Sequence, residues 1–103
     1  MTTRNQVNNN KMIHGFKHKG LELFFNTGSL AGIQSKHADK LNIQLSTLNQ
    51  ASTVQDMNVT GWNFHLLKGN LKDHYAVKVN GNWRLTFKFE NGHAYVVDYQ
   101  DYH

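Results

Sequence analysis

Apolar and polar positions follow different periods in the two halves of the chain. In the second half, Tyr75, Val77 and Val79 alternate with Ala76, Lys78 and Asn80. Trp83, Leu85, Phe87 and Phe89 alternate with Arg84, Thr86 and Lys88, and Tyr95, Val97 and Tyr99 alternate with Val96 and Asp98. Period two in β-favouring residue types predicts three strands. Asn80-Gly81 and Asn91-Gly92 separate them, and Asn-Gly between alternating runs is the strongest short-range hairpin signal. The second half therefore reads as an antiparallel meander. A two-residue turn at Asn80-Gly81 would set Lys78 opposite Trp83. A three-residue loop over 80–82 sets Val79 opposite Trp83 and Val77 opposite Leu85, which keeps one face apolar and is preferred. The same reasoning over 91–93 pairs Phe89 with Tyr95, Phe87 with Val97 and Leu85 with Tyr99. The other face then collects Lys78, Arg84, Thr86, Lys88, Asp98 and Gln100. Two further residues of ladder bring Tyr102 onto it, diagonal to Arg84.

The first half repeats at helical spacing. Leu21, Phe24 and Phe25 form one stripe of a helix over about 18–27, and Gly28 is placed to end it. Ala38, Leu41, Leu45 and Leu48 mark the core face of a second helix over about 35–50, with Ser35 as its expected N-cap. Residues 51–61 show no clean period and read as a loop. Met12-Ile13-His14-Gly15-Phe16 is a short candidate strand. Residues 1–11, polar and Asn-rich, read as a disordered extension. The apolar sheet face needs a cover, which the two helices supply. The expected fold is α+β in the order β-α-α-β-β-β, with both helices on one face of a mainly antiparallel twisted sheet.

Composition narrows the function classes. At 103 residues the chain suits one domain. Lys and Arg total 11 against 7 Asp and Glu, a net charge of +4, which favours an anionic partner and nucleic acid first. The absence of cysteine excludes a disulfide scaffold, a thiolate metal site and a cysteine nucleophile. No apolar run is long enough to span a membrane, and the opening MTTRNQVNNNK has no apolar stretch of a secretory signal. A cytoplasmic protein with no membrane contact is expected.

The chemistry-bearing residues gather near the meander. His65-Leu66-Leu67-Lys68-Gly69 leads into it, and Arg84, Lys78, Lys88 and Tyr102 share its polar face with His103 close by. Singly, each is more often a solvated surface group than a functional one. Together they match a need. Cutting RNA through its own 2′-hydroxyl takes a base for that proton, an acid for the leaving 5′-oxygen and cations for the crowded phosphate. His, Tyr, Lys and Arg supply those roles, so no metal and no cofactor is expected. His14 and His18, four apart, straddle a strand–helix boundary and are read as two unrelated surface groups. There is no glycine-rich phosphate loop and no nucleophile elbow. The apolar stripe of the second helix is needed for the core, which argues against a DNA-reading helix. Trp62 is open for stacking on a base, with Lys78 and Lys88 as further RNA contacts. Trp83 belongs to the core by its alternation.

The blocks His65-Leu66-Leu67-Lys68-Gly69, Asn82-Trp83-Arg84-Leu85-Thr86-Phe87 and Asp98-Tyr99-Gln100-Asp101-Tyr102-His103 resemble the HigB toxins of the RelE/ParE superfamily. The opening Met12-Ile13-His14-Gly15-Phe16-Lys17-His18-Lys19-Gly20-Leu21 is also similar to the start of such toxins. The resemblance covers residues 12–103, with the blocks in the family's order and spacing and a distinctive closing Asp-Tyr-His. It implies a single RelE-like domain and a ribosome-dependent endoribonuclease that cuts translated messenger RNA in the A site, beside 16S ribosomal RNA. It also implies a HigA-type antitoxin that neutralises the toxin and alone contacts operator DNA. Carried over by position, the catalytic set is His65, Lys68, Arg84, Asp101, Tyr102 and His103. In this reading His103 or Asp101 activates the 2′-hydroxyl, His65 and Tyr102 are the other proton-transfer candidates, and Arg84 and Lys68 stabilise the phosphate charge. Family members begin at the equivalent of Met12, so residues 1–11 are expected to be a tail or the product of an upstream start. The competing reading on the same fold is a noncatalytic inhibitor of a host protein, as in the ParE branch with DNA gyrase. A third is a plain nucleic-acid binder.

Overall fold

The computed structural model describes residues 13–101. The N-terminal tail, Met12, Tyr102 and His103 lie outside the described residues, and so do the expectations placed on them.

Helix α1 spans Lys19–Thr27 and buries Leu21 and Phe24. His18 caps it, its Nδ1 accepting from the Leu21 N–H at 2.9 Å. Gly28 ends it as expected, in the left-handed region with φ 83, and its N–H reaches the Phe24 carbonyl. The chain returns through a backbone contact that only glycine permits. A Cβ on Gly20 would stand 2.7 Å from the Gly32 Cα, and one on Gly32 would stand 2.5 Å from the Gly20 Cα.

The second helix begins later than expected. Ser35–His37 form a 3₁₀ turn, and helix α2 runs over Ala38–Gln50. Ser35 is not its N-cap; Gln34 and His37 flank the two starts, and neither side chain caps. The tighter turn sets His37 into the core. Leu41, Leu45 and Leu48 are fully buried as the stripe requires. The segment read as loop contains a further 3₁₀ turn, Val54–Met57, closed by a reciprocal capping box between Thr53 and Asp56 that seats Met57 in the core. One turn is too short to show a period.

The meander is β2 (Tyr75–Asn80), β3 (Trp83–Glu90) and β4 (His93–Asp101). A two-residue strand β1, His65–Leu66, adds to the β2 edge, giving an antiparallel sheet of order β1-β2-β3-β4. Val77↔Leu85 and Leu85↔Tyr99 pair as expected. Nearer both turns the register differs. The first turn is Gly81-Asn82, with Asn80 rather than Val79 opposite Trp83 and the ladder shifted at Val79. That bulge keeps Val79 buried while the turn closes over two residues. The second turn has Asn91 at φ 54 and Gly92 at φ 81, both positive as a type I′ turn demands. It sets Phe89 opposite Ala94 and Lys88 opposite Tyr95. The expected Phe89–Tyr95 and Phe87–Val97 pairs therefore do not form.

The expected first strand is reduced to two isolated parallel bridges, Ile13↔Ala94 and Phe16↔Val97. β4 bulges at Val96, between the two bridges, and interrupts the ladder. The segment still covers the β4 edge, through His14 N–H to Ala94 O at 2.8 Å and Val97 N–H to Gly15 O at 3.0 Å. One core joins the helices to one sheet face: Leu21, Phe24, Leu41, Leu45 and Leu48 meet Val77, Val79, Leu85, Phe87, Val97 and Tyr99. The architecture is the α+β one expected, with the other sheet face left free of helices.

Candidate active site

The helix-free face is built from two cross-strand rows. Lys78, Arg84 and Gln100 are directly opposite one another on β2, β3 and β4. In the next row His65, Ala76, Thr86 and Asp98 are opposite across all four strands. Ala76 and Thr86 are fully buried although they point away from the helices, so the larger side chains around them close over the middle of the sheet. Gln100 is one of these, its Nε2 donating to Thr86 Oγ1 at 2.9 Å.

The first row sets two cations side by side. Like charges directly opposite on a sheet are destabilising, and the row holds no acid. Such a pair suits an anion held between them. Arg84 is oriented by its own hairpin, Nη1 donating to Gly81 O at 2.8 Å and to Trp83 O at 3.1 Å. Asp98, in the neighbouring row, accepts from the Tyr99 N–H at 2.9 Å.

His65 approaches from the edge strand. Its Nδ1 lies 2.8 Å from the Asn63 carbonyl, which can only accept, so Nδ1 carries the proton. In the neutral ring Nε2 is then the basic nitrogen. Asn63 makes this possible by adopting φ 51, which turns its carbonyl toward the ring two residues on. Two strand spacings and two residues separate His65 from Arg84, about 12 Å between Cα atoms. Imidazole and guanidinium can therefore converge on one phosphodiester between them.

Lys68 is exposed and opens the 3₁₀ turn Gly69–Leu71, beyond β1 from the two rows. Lys88 continues the face along β3, opposite Tyr95. Asp101 pairs with Trp83, which puts it on the alternate side of the pleat from Arg84 and Gln100. Trp62 is corrected: it is 7% exposed and part of the core, and its carbonyl accepts from the Lys78 N–H at 2.7 Å. A base cannot stack on a ring enclosed in this way. Trp62 helps to seat β2 instead. Trp83 joins the core as its alternation implied.

Beneath the Arg84 end, Tyr99 ties β4 to the helix layer. Its ring stacks on Trp83 at 4.5 Å. Its hydroxyl accepts from the Gln34 N–H at 3.2 Å and lies 2.6 Å from His37 Nδ1. Burial, and then the Lys36 charge, lower the His37 pKa from its usual value. Burial raises that of Tyr99. No local sequence pattern links these two residues, because the pairing joins positions 62 residues apart.

Among the described residues, no group of three or more His, Asp or Glu could hold a metal ion, and no helix is long and apolar enough to cross a membrane. Residues 14–103 match the family model of HigB-like toxins, described as the RelE-like toxin of the type II toxin–antitoxin system HigB. The chain is 39% identical over 92 residues to the endoribonuclease HigB of Proteus vulgaris, across 89% of this chain and all of that protein.

Proposed function

The chain belongs to the HigB-like family of RelE-like toxins from type II toxin–antitoxin systems, and from that premise we propose that it is an endoribonuclease that cuts translated messenger RNA in the ribosomal A site. The observation that carries the chemistry is the placing of Lys78 directly opposite Arg84, one row from His65. In the proposed reaction the 2′-oxygen attacks the adjacent phosphorus and loses its proton to a base. The bond from phosphorus to the 5′-oxygen breaks, and an acid returns a proton to that oxygen. The products are a 2′,3′-cyclic phosphate and a 5′-hydroxyl. Arg84 and Lys78 neutralise charge on the non-bridging oxygens as it builds. His65, with Nδ1 committed to Asn63, exchanges protons through Nε2. Lys68, Tyr102 and His103 complete the set through their match to the family's motif, with His103 as the base; Asp101, on the other side of the pleat from Arg84, does not serve in that role.

A toxin of such a system requires an antitoxin, here proposed to be of HigA type. The ribosome is the proposed source of a translated substrate, which places the action in the cytoplasm. Primer extension on messenger RNA in a translating extract tests this, with wild type beside Arg84→Ala and deletion of His103. Cleavage at A-site codons by wild type alone is the expected result. Cleavage of bare RNA at the same rate would remove ribosome dependence. Growth arrest in cells without any cleavage would favour the noncatalytic inhibitor.

A further inference from the structure

The bulge in β4 turns a predicted core residue outward. Between the pairs Thr86↔Asp98 and Lys88↔Tyr95, β3 contributes one residue and β4 two. Val96 absorbs the extra residue at φ 53, a left-handed conformation that is unfavourable for a β-branched side chain. Beyond it the alternation is inverted. Ala94 enters the core, fully buried. Tyr95 and His93, opposite Lys88 and Glu90, join the face that carries Arg84.

A third ring completes the group. His14 is held beside β4 by its N–H bond to Ala94 O. Its imidazole stacks on His93 at 4.0 Å and 24° and meets the edge of Tyr95 at 5.6 Å and 85°. His93 and Tyr95 are themselves 6.5 Å apart, edge to face. This geometry leaves His93 Nδ1 buried with no hydrogen-bond partner among the described residues, which costs free energy. Covering a sheet edge needs neither that loss nor the strain at Val96, since an aliphatic side chain would serve. Aromatic faces beside a cation do suit an unstacked base next to its phosphate. From Arg84 to Lys88 is four residues of strand, about 13 Å or roughly two nucleotides of extended chain.

We propose that His14, His93 and Tyr95 form a stacking platform for one nucleobase of the cleaved strand, with Lys88 on the adjoining phosphate and Arg84 on the scissile one. The proposal depends on the RNA-cleavage reading above. It identifies a second contact on the same strand, at a fixed distance from the cut.

The test uses ribosomes programmed with messenger RNAs that carry a single abasic nucleotide, moved stepwise through the positions flanking the cut. Half-saturating toxin concentration for cleavage is measured for wild type, Tyr95→Leu and Tyr95→Phe. For wild type, one flanking abasic position is expected to raise it about tenfold, the scale of one lost base stack. Tyr95→Leu should show that loss on intact messenger RNA and no further loss at that abasic position. Tyr95→Phe, which keeps a π-face, should recover most of it. Wild-type behaviour of Tyr95→Leu overturns the platform and leaves the nuclease reading standing. So does a Tyr95→Leu loss that adds to the abasic loss at every position, which would place the ring against ribosomal RNA or no base at all. If wild type cuts nothing, the nuclease reading fails and the platform with it.

Discussion

Replacing Tyr99 with Phe removes one oxygen and separates hydrogen bonding from packing. The ring remains to stack on Trp83, so no cavity opens. The hydroxyl takes with it the partner of His37 Nδ1 at 2.6 Å and that of the Gln34 N–H at 3.2 Å. His37 is 1% exposed, and its Nε2 already lacks a partner among the described residues, so among them the variant leaves both ring nitrogens unpaired away from water. One newly orphaned buried group costs about 1–3 kcal/mol. The Gln34 N–H is partly buried and can be hydrated, so it adds about 0.5 kcal/mol. The sum is about 1.5–3.5 kcal/mol, against a total stability on the order of 5–15 kcal/mol for a domain. In a chain of this length it lowers Tm by roughly 6–28 °C. Urea unfolding of wild type and Tyr99→Phe, followed by tryptophan fluorescence, measures it directly. Adding His37→Phe to Tyr99→Phe should restore part of the loss, because then no polar atom is left stranded. A change below about 0.5 kcal/mol in Tyr99→Phe would show that the hydroxyl does not hold His37 in the folded protein, and the account of how β4 is anchored would fail.

Other expectations follow from the same geometry. His37 has a folded pKa below its usual 6.5, so the unfolded chain binds this proton more readily. Its contribution is fully present above pH 6.5 and is lost as pH falls from there toward the folded value; urea midpoints at successive pH values should decline over that range, and less so in His37→Phe. Gly20→Ala places a methyl 2.7 Å from the Gly32 backbone and should lower the unfolding free energy by about 1–3 kcal/mol or more; an unchanged Tm would mean that the two segments can part freely. Val96→Asn suits φ 53 better than a β-branched residue and should raise stability by about 1 kcal/mol, read as an increase in Tm. Arg84→Lys keeps the charge but loses the planar fork, and should reduce kcat for RNA cleavage by about 100-fold with little change in the unfolding midpoint.

The sequence by itself determined the two helices and the three meander strands, which of their faces are apolar and where the cations stand on the meander. Those depend on local periodicity, and a stripe such as Leu41, Leu45 and Leu48 can be buried in only one way. Val77↔Leu85 and Leu85↔Tyr99 pair as the apolar face requires, and that agreement brings Lys78, Arg84 and Gln100 into one row. The short strand His65–Leu66 was legible only as a chain segment entering the sheet, because two residues have no period to detect. Near the turns, an unbroken apolar face and the turn residues themselves imply different registers. Asn91-Gly92 read strictly as a two-residue type I′ turn sets Lys88 opposite Tyr95, as found. Bulges at Val79 and Val96 reconcile such turns with a continuous core, and their positions depend on side chains packed from elsewhere. Tertiary structure alone decided that Trp62 is enclosed, that His37 meets Tyr99 and that His14 stacks on His93. Each of these joins residues remote in sequence. Their free energy exists only once the sheet has closed against the helices, so no local pattern can encode it.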